Sequence, residues 1–151
     1  MQKTYQLVKV TVSDHWQAYH GIRQKVLWEN RGKMGYDDKH QDEYLPHHHP
    51  LLLLLNNEPI GTTRLDNLRN GFAVVRLVAI ADAFQKKGHG RQLSALVENY
   101  ARDLGINTLY VNAAPEALGF YKKLGWEPHE WDPEELTDIA EDCVQMRKIL
   151  P

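Results

Sequence analysis

"FAVVRLVAIADAFQKKGHGRQL", residues 72–93, is the stretch on which the reading of this chain turns. It begins as an apolar run of strand length, broken only by Arg76. It ends by opening an amphipathic helix, in which Leu93, Leu96, Val97, Tyr100, Ala101 and Leu104 follow the i, i+3, i+4, i+7 spacing before Gly105 supplies a left-handed cap. Between strand and helix lies a basic loop with glycines at 88 and 90. Those glycines let the backbone turn and come close to a ligand, and the first N–H groups of the helix have no intrahelical acceptors. With the positive end of the helix dipole and Lys86, Lys87 and Arg91 alongside, the loop suits a phosphate or pyrophosphate held mainly by main-chain donors. Two standard nucleotide loops do not fit. The G-x-x-x-x-G-K-[ST] pattern is absent, and G-x-G-x-x-G would need a third glycine where Leu93 stands.

Upstream, "TYQLVKVTV" predicts a strand, and Ser13-Asp14 is a good helix entry. Over residues 14–30, Tyr19, Ile22, Val26 and Leu27 form one apolar face, with His20, Arg23, Gln24 and Lys25 left for solvent. Residues 30–50 lose periodicity and read as a long loop with room for a short helical piece. "LLLLLN", "IGTTRLDNL" and "FAVVRLVAI" are joined by turn signals at 57–59 and 70–71, which predicts an antiparallel meander. Downstream come a strand at "INTLYVN", a short helix at "APEALGFYKKLG", a closing strand at "CVQMRKIL" and one further strand candidate at "WEPHEW". Alternating strands and helices of this kind predict an α/β fold with a mixed, largely antiparallel sheet.

Composition narrows the function classes. The chain has 151 residues and a formal net charge of −2, which predicts one domain over residues 1–151 with no chain-wide basic field for nucleic acid. Cys143 is the only cysteine, so there is no disulfide framework and no cysteine cluster for zinc. The histidines at 47–49 diverge in an extended segment, and no metal is expected. The N-terminus lacks a signal-peptide core, and no run reaches the roughly 20 apolar residues of a membrane span. A cytoplasmic location without membrane attachment is the resulting expectation.

The segment "VAIADAFQKKGHGRQL", the helix after it and then "LYVNAAPEALGFYKKLGW" together resemble the GNAT superfamily of N-acetyltransferases. The pattern matched is a V-A-V-like strand end, [RQ]-x-x-G-x-[GA], and a later F-Y-x-x-L-G-[FW] helix. The resemblance implies a sheet with helices on both faces whose fourth and fifth strands splay to admit acetyl-CoA. It implies that Gln85, Lys86, Lys87, Gly88, His89, Gly90 and Arg91 surround the coenzyme pyrophosphate. The main chain of Val78 and Ile80 would pair with the pantetheine arm. The family's strand-end Asn and helix Tyr match Asn112 and Tyr121.

The chemistry assigns roles to those positions. Transfer of an acetyl group from a thioester to an amine develops an oxyanion and expels a thiolate, so Tyr121 is the candidate general acid. Some members of the family carry a Glu in the central strand, but Arg76 stands near that place here. The base is left among Asp66, Glu43, His49 and Glu127. The expected activity is direct, acetyl-CoA-dependent N-acetylation of a small-molecule or peptide amine. The alternative is a coenzyme-A-binding sensor that has lost catalysis. Acidic residues crowd 127–142 and 37–43, which points to a cationic acceptor. A homodimer is left open.

Overall fold

The computed structural model describes residues 2–151. Its elements are β1 Tyr5–Lys9, α1 Ser13–Arg23, β2 His48–Leu55, β3 Glu58–Asn67, β4 Phe72–Ile80, α2 His89–Asp103, β5 Thr108–Ala113, α3 Leu118–Lys123, β6 Glu127–Pro128 and β7 Val144–Ile149. The strands form one seven-stranded sheet in the order β1-β2-β3-β4-β5-β7-β6. Only β4 and β5 run parallel, as the long crossover through α2 requires. Among the described residues no helix is long and apolar enough to cross a membrane.

The five leucines of β2 explain themselves once both sheet faces are covered. Leu51 and Leu53 join Leu93, Val97, Leu109 and Met146 in the larger core under α2 and α3. Leu52 and Leu54 face the other way, against Val10 and Tyr19 under α1. The β2–β3 connection is a two-residue turn in which Asn56 and Asn57 both take positive φ (50° and 70°), a conformation asparagine tolerates. At the β3–β4 turn, Asn67 and Asn70 accept hydrogen bonds from the main-chain N–H of Arg69 and Phe72.

The first helix departs from the expected pattern. The α-helical hydrogen bonding stops at Arg23, and the chain continues as a π turn over Gln24–Trp28 and a 3-10 turn over Glu29–Arg31. Arg23, expected to stay wet, is only 2% exposed. Its guanidinium sits 4.7 Å from the Tyr19 ring centroid and donates to Glu43 Oε1 at 2.5 Å. A charge can be buried here because a distant segment supplies its counter-ion, which helical periodicity cannot report. The loop before β2 does hold the short helical piece, at Gln41–Tyr44. The strand candidate near residue 127 is reduced to Glu127–Pro128.

The feature that creates a site is a fork. β4 and β5 are paired only from Phe72↔Thr108 to Val75↔Val111. One residue further on, Arg76 and Asn112 are no longer partners. On its other side β4 carries a bulge: Arg64 pairs with Arg76 and Thr62 with Ala79, so Leu77 and Val78 together stand opposite Thr63. Leu77 takes a φ of 54°, rare for a branched apolar residue, and the Thr63 hydroxyl donates to the Arg76 carbonyl at 2.8 Å.

Candidate active site

The strand–loop–helix segment forms as its residues dictate. A 3-10 turn over Asp82–Phe84 leads to Gly88, which caps α2 in the left-handed region at φ 85° and has no side chain to offer the helix's free N–H groups. A Cβ built on Gly88 would meet nothing within 4 Å, so the space in front of the helix is open. Gln85, Lys86, Lys87 and Arg91 are exposed around it. Gln85 Nε2 donates to the Ile80 carbonyl at 2.9 Å, which ties the loop to the end of β4, and Lys87 Nζ donates to the Ala83 carbonyl of the 3-10 turn at 3.1 Å. Gly90 lets Phe120 pack closely: a Cβ there would stand 3.2 Å from the Phe120 ring, which would have to give by a few tenths of an ångström. The loop thus fits a pyrophosphate by an open helix N-terminus and surrounding cations.

Of the loop residues that the resemblance puts around the pyrophosphate, His89 turns its side chain elsewhere. Its side chain is 3% exposed, turned into the protein, with Nδ1 2.7 Å from Tyr5 Oη and the ring edge-on to Tyr5 and Phe84. It pins the loop to β1, and only its main chain remains at the helix mouth. Burial, with Lys3 and Lys87 adding to it, lowers its pKa below the ordinary 6.5. A histidine depressed in the folded state contributes stability in full above its unfolded value, and that contribution drains as pH falls below about 6.5. The melting temperature is expected to fall between about pH 7 and about pH 5, and His89→Gln to show a shallower fall. Calorimetry at closely spaced pH values checks this, and identical slopes for the two proteins would refute the coupling.

Beyond the loop, a cavity of about 320 Å³ occupies the fork. The bulge residues Leu77 and Val78 wall one side, Asn112 and Tyr121 the other, and residues 137–140 close over it with Cys143. Tyr121 is 6% exposed, and its hydroxyl has no hydrogen-bond partner among the described residues. Burial, reinforced by the neighbouring Cys143, pushes its pKa well above the ordinary 10 and keeps it protonated. Its ring is fixed edge-on to Phe120 and Trp126, at 5.4 Å each. A proton donor is therefore held at the fork with nothing else to bond.

A wider cavity of about 730 Å³ lies beside the first, and Leu77, Asp138 and Ile139 line both. Asp37, Asp42, Asp138 and Glu141 stand around it, so the two acidic stretches, some 100 residues apart in the chain, share one wall. Trp28 and Tyr36 add aromatic surface. Lys33 lines it as well, and Arg23 and Arg64 are engaged by buried carboxylates.

Two of the carboxylates read as candidate bases, Glu43 and Asp66, are those counter-ions. Glu43 accepts from Tyr19 Oη at 2.8 Å, Arg23 and Arg64. Burial pushes its pKa up, but the two arginines and the Tyr19 hydrogen bond outweigh burial and hold it below the usual carboxylate value. Asp66 is gripped by both ends of Arg64, at 2.7 and 2.9 Å, and by Arg76 Nε at 2.8 Å. Neither lone-pair set is free to take a proton from a substrate. His49 is bound to Tyr100 Oη at 2.8 Å, and Glu127 is on the surface with Arg147. Asn112, read as a cofactor contact, spends its side chain on Gln145 and Glu135. Sequence reading missed Glu135 as an individual site residue. Its carboxylate receives both Arg76 terminal nitrogens, at 2.5 and 3.0 Å. Arg76, an arginine in an otherwise apolar strand, was the signal that a carboxylate partner would be brought to it.

The chain matches the model of the acetyltransferase (GNAT) family over residues 11–126. Among solved structures it is similar to a Lactobacillus plantarum protein solved as a candidate N-acetyltransferase, with a TM-score of 0.80 at 24% identity, covering 97% of this chain and 99% of that one. It is similar to a GNAT-family acetyltransferase from Staphylococcus aureus Mu50, with a TM-score of 0.78 at 14% identity over 98% and 100% of the two chains. An acyl-CoA N-acyltransferase from Pseudomonas aeruginosa superposes with a TM-score of 0.78 at 17% identity, over 97% and 99%. These likenesses establish the fold, and the family match extends over most of the strands that build the fork. With its forked sheet, bulged β4 and open helix mouth, this chain belongs to the GNAT acetyltransferase family.

Proposed function

We propose that the protein transfers an acetyl group directly from acetyl-CoA to a primary amine, and that the acceptor is a cationic small molecule or peptide side chain. The reading is carried by one observation: the unpartnered Tyr121 hydroxyl on the wall of the fork cavity. Bound acetyl-CoA supplies a thioester whose sulfur must leave as a thiol. Tyr121 holds its proton at Oη through the neutral range and would give it to the departing sulfur as the C–S bond breaks; the raised pKa keeps the donor loaded and does not itself drive the transfer. Gly88 and the first turn of α2 bind the diphosphate through main-chain donors. The end of β4 beyond the fork, at Val78 and Ile80, offers the extended backbone along which a pantetheine arm would pair.

Asp138 supports the choice of acceptor. It lines both cavities beside the bulge, is exposed, and has no ion-pair partner among the described residues. An ammonium drawn toward it from the wide cavity would come to Leu77, where the two cavities meet, and give up its proton to solvent before it attacks. The test measures release of free coenzyme A with spermidine, lysine amide and a neutral amine of similar size, each across salt concentrations. The cations are expected to have kcat/KM values about 10-fold higher, the preference shrinking as salt screens the acidic wall. Asp138→Asn should lose most of that preference. Equal rates, or a preference indifferent to salt, would defeat the choice of acceptor. Binding of acetyl-CoA with no turnover of any amine would favour a coenzyme-sensing module instead.

A further inference from the structure

The wall closing the fork cavity, residues 137–140, belongs to the connection between β6 and β7, which has little attachment of its own. Among the described residues, the backbone hydrogen bonds of residues 133–143 outside the strands are all local: Glu135 to Asp132, Leu136 to Pro133, Thr137 to Glu135, Ala140 to Thr137, Glu141 to Asp138 and Cys143 to Ala140. The loop reaches the sheet through side chains. Gln145 of β7 is 5% exposed and uses its whole amide: Oε1 accepts from the N–H groups of Trp131 and Asp132 at 2.9 and 2.8 Å, and Nε2 donates to Asn112 Oδ1 at 2.9 Å and the Asp132 carbonyl at 2.6 Å. Asn112 passes the contact on, donating from Nδ2 to Glu135 Oε1 at 3.2 Å. Glu135 in turn grips Arg76 on the opposite prong. Arg76 and Asn112 are the first residues past the last β4–β5 pair, so Glu135 bridges the fork at the point where it opens.

We propose that Gln145 and Glu135 are positioning residues for the acceptor: they fasten the loop across the fork and thereby set the wall that an amine must meet. The inference rests on the acetyl-transfer reading above. Neither residue touches the coenzyme loop; Gln145 stands outside the fork cavity, and Glu135 lines it where it fastens the wall. Loosening it therefore costs acceptor binding and spares coenzyme binding. Cutting Glu135 back leaves Arg76 paired with Asp66 at 2.8 Å, so no charge is orphaned in the core.

Two variants and three readouts test this. Glu135→Ala is expected to raise KM for spermidine about 10-fold, change kcat by less than about twofold, and leave coenzyme A affinity by calorimetry within about twofold. Hydrogen exchange in residues 133–143 should quicken while the strands keep their protection. Glu135→Gln, which keeps one acceptor oxygen for Arg76 or Asn112, should fall between the two. Gln145→Leu should repeat the pattern more strongly; should it fail to fold, the Glu135 pair alone decides. An unchanged KM, an equal loss of coenzyme affinity, or unaltered exchange in 133–143 would overturn the proposal. If the parent protein binds coenzyme A but turns over no spermidine, the acceptor reading fails separately. The exchange comparison then decides: quickening confined to 133–143 supports the fastening role, and its absence removes it.

Discussion

Gly88→Val is expected to lose the stabilisation that acetyl-CoA gives the parent protein. A ligand at about 100 times its dissociation constant stabilises a fold by about 2.7 kcal/mol, which for a domain of this size is a rise of roughly 5–11 °C in melting temperature. The variant should show a rise of less than about 1 °C under the same conditions, corresponding to a coenzyme affinity weakened about 100-fold or more. Two features of the position produce the effect. Its φ of 85° is hostile to a β-branched residue, so the helix cap must shift. The empty space beside its Cα is where a diphosphate would approach the main chain, and isopropyl carbon would fill it. Strain of about 1–3 kcal/mol is small enough for a domain of ordinary stability to remain folded. Thermal scans of both proteins with and without acetyl-CoA measure this directly. An equal ligand-induced rise in the two would remove the coenzyme loop from residues 85–91.

Tyr121→Phe is expected to lower kcat about 100-fold while leaving acetyl-CoA affinity unchanged. The same substitution should leave the protein as stable as the parent or slightly more so. The hydroxyl bonds to no protein group among the described residues and faces the fork cavity rather than a sealed core, so removing it breaks no hydrogen bond within the fold. That pairing of lost turnover with retained stability separates a proton donor from a core aromatic, for which turnover would hold and packing alone would register. Steady-state kinetics and thermal unfolding on one preparation supply both numbers. Because burial holds the phenol protonated far into the alkaline range, the parent's kcat should show no downward break attributable to Tyr121 near its ordinary pKa of 10. Unchanged turnover in the variant would return Tyr121 to the core.

Charge locking is expected to make the fold sensitive to acid. Glu43 and Glu135 are both held below the ordinary carboxylate value of 4.5, each because its arginine bonds outweigh burial. Their contribution is present above the unfolded value and is lost as pH falls below about 4.5, a window distinct from that of His89.

The elements whose signal is local were legible in the sequence. The apolar run of β4, the glycine loop and the amphipathic face of α2 each follow from neighbours a few residues apart, because strand and helix periodicity and helix-terminus chemistry act over that distance. The fork between β4 and β5 followed from the resemblance, and the loop and Tyr121 came from the same motifs. What tertiary structure alone decided is where the charges go. Arg23 looked like a surface residue of a helix and is buried, since Glu43 arrives from a loop 20 residues away. Glu43 and Asp66 looked like free carboxylates and are held by arginines. His89 looked like a phosphate contact and is bonded to Tyr5, 84 residues distant in the chain. Asn112 and Glu135 meet over the fork across 23 residues. Periodicity says which face of an element is apolar, but an ion pair is fixed by two side chains brought together from separate elements, and only the packed sheet determines which carboxylate each arginine finds.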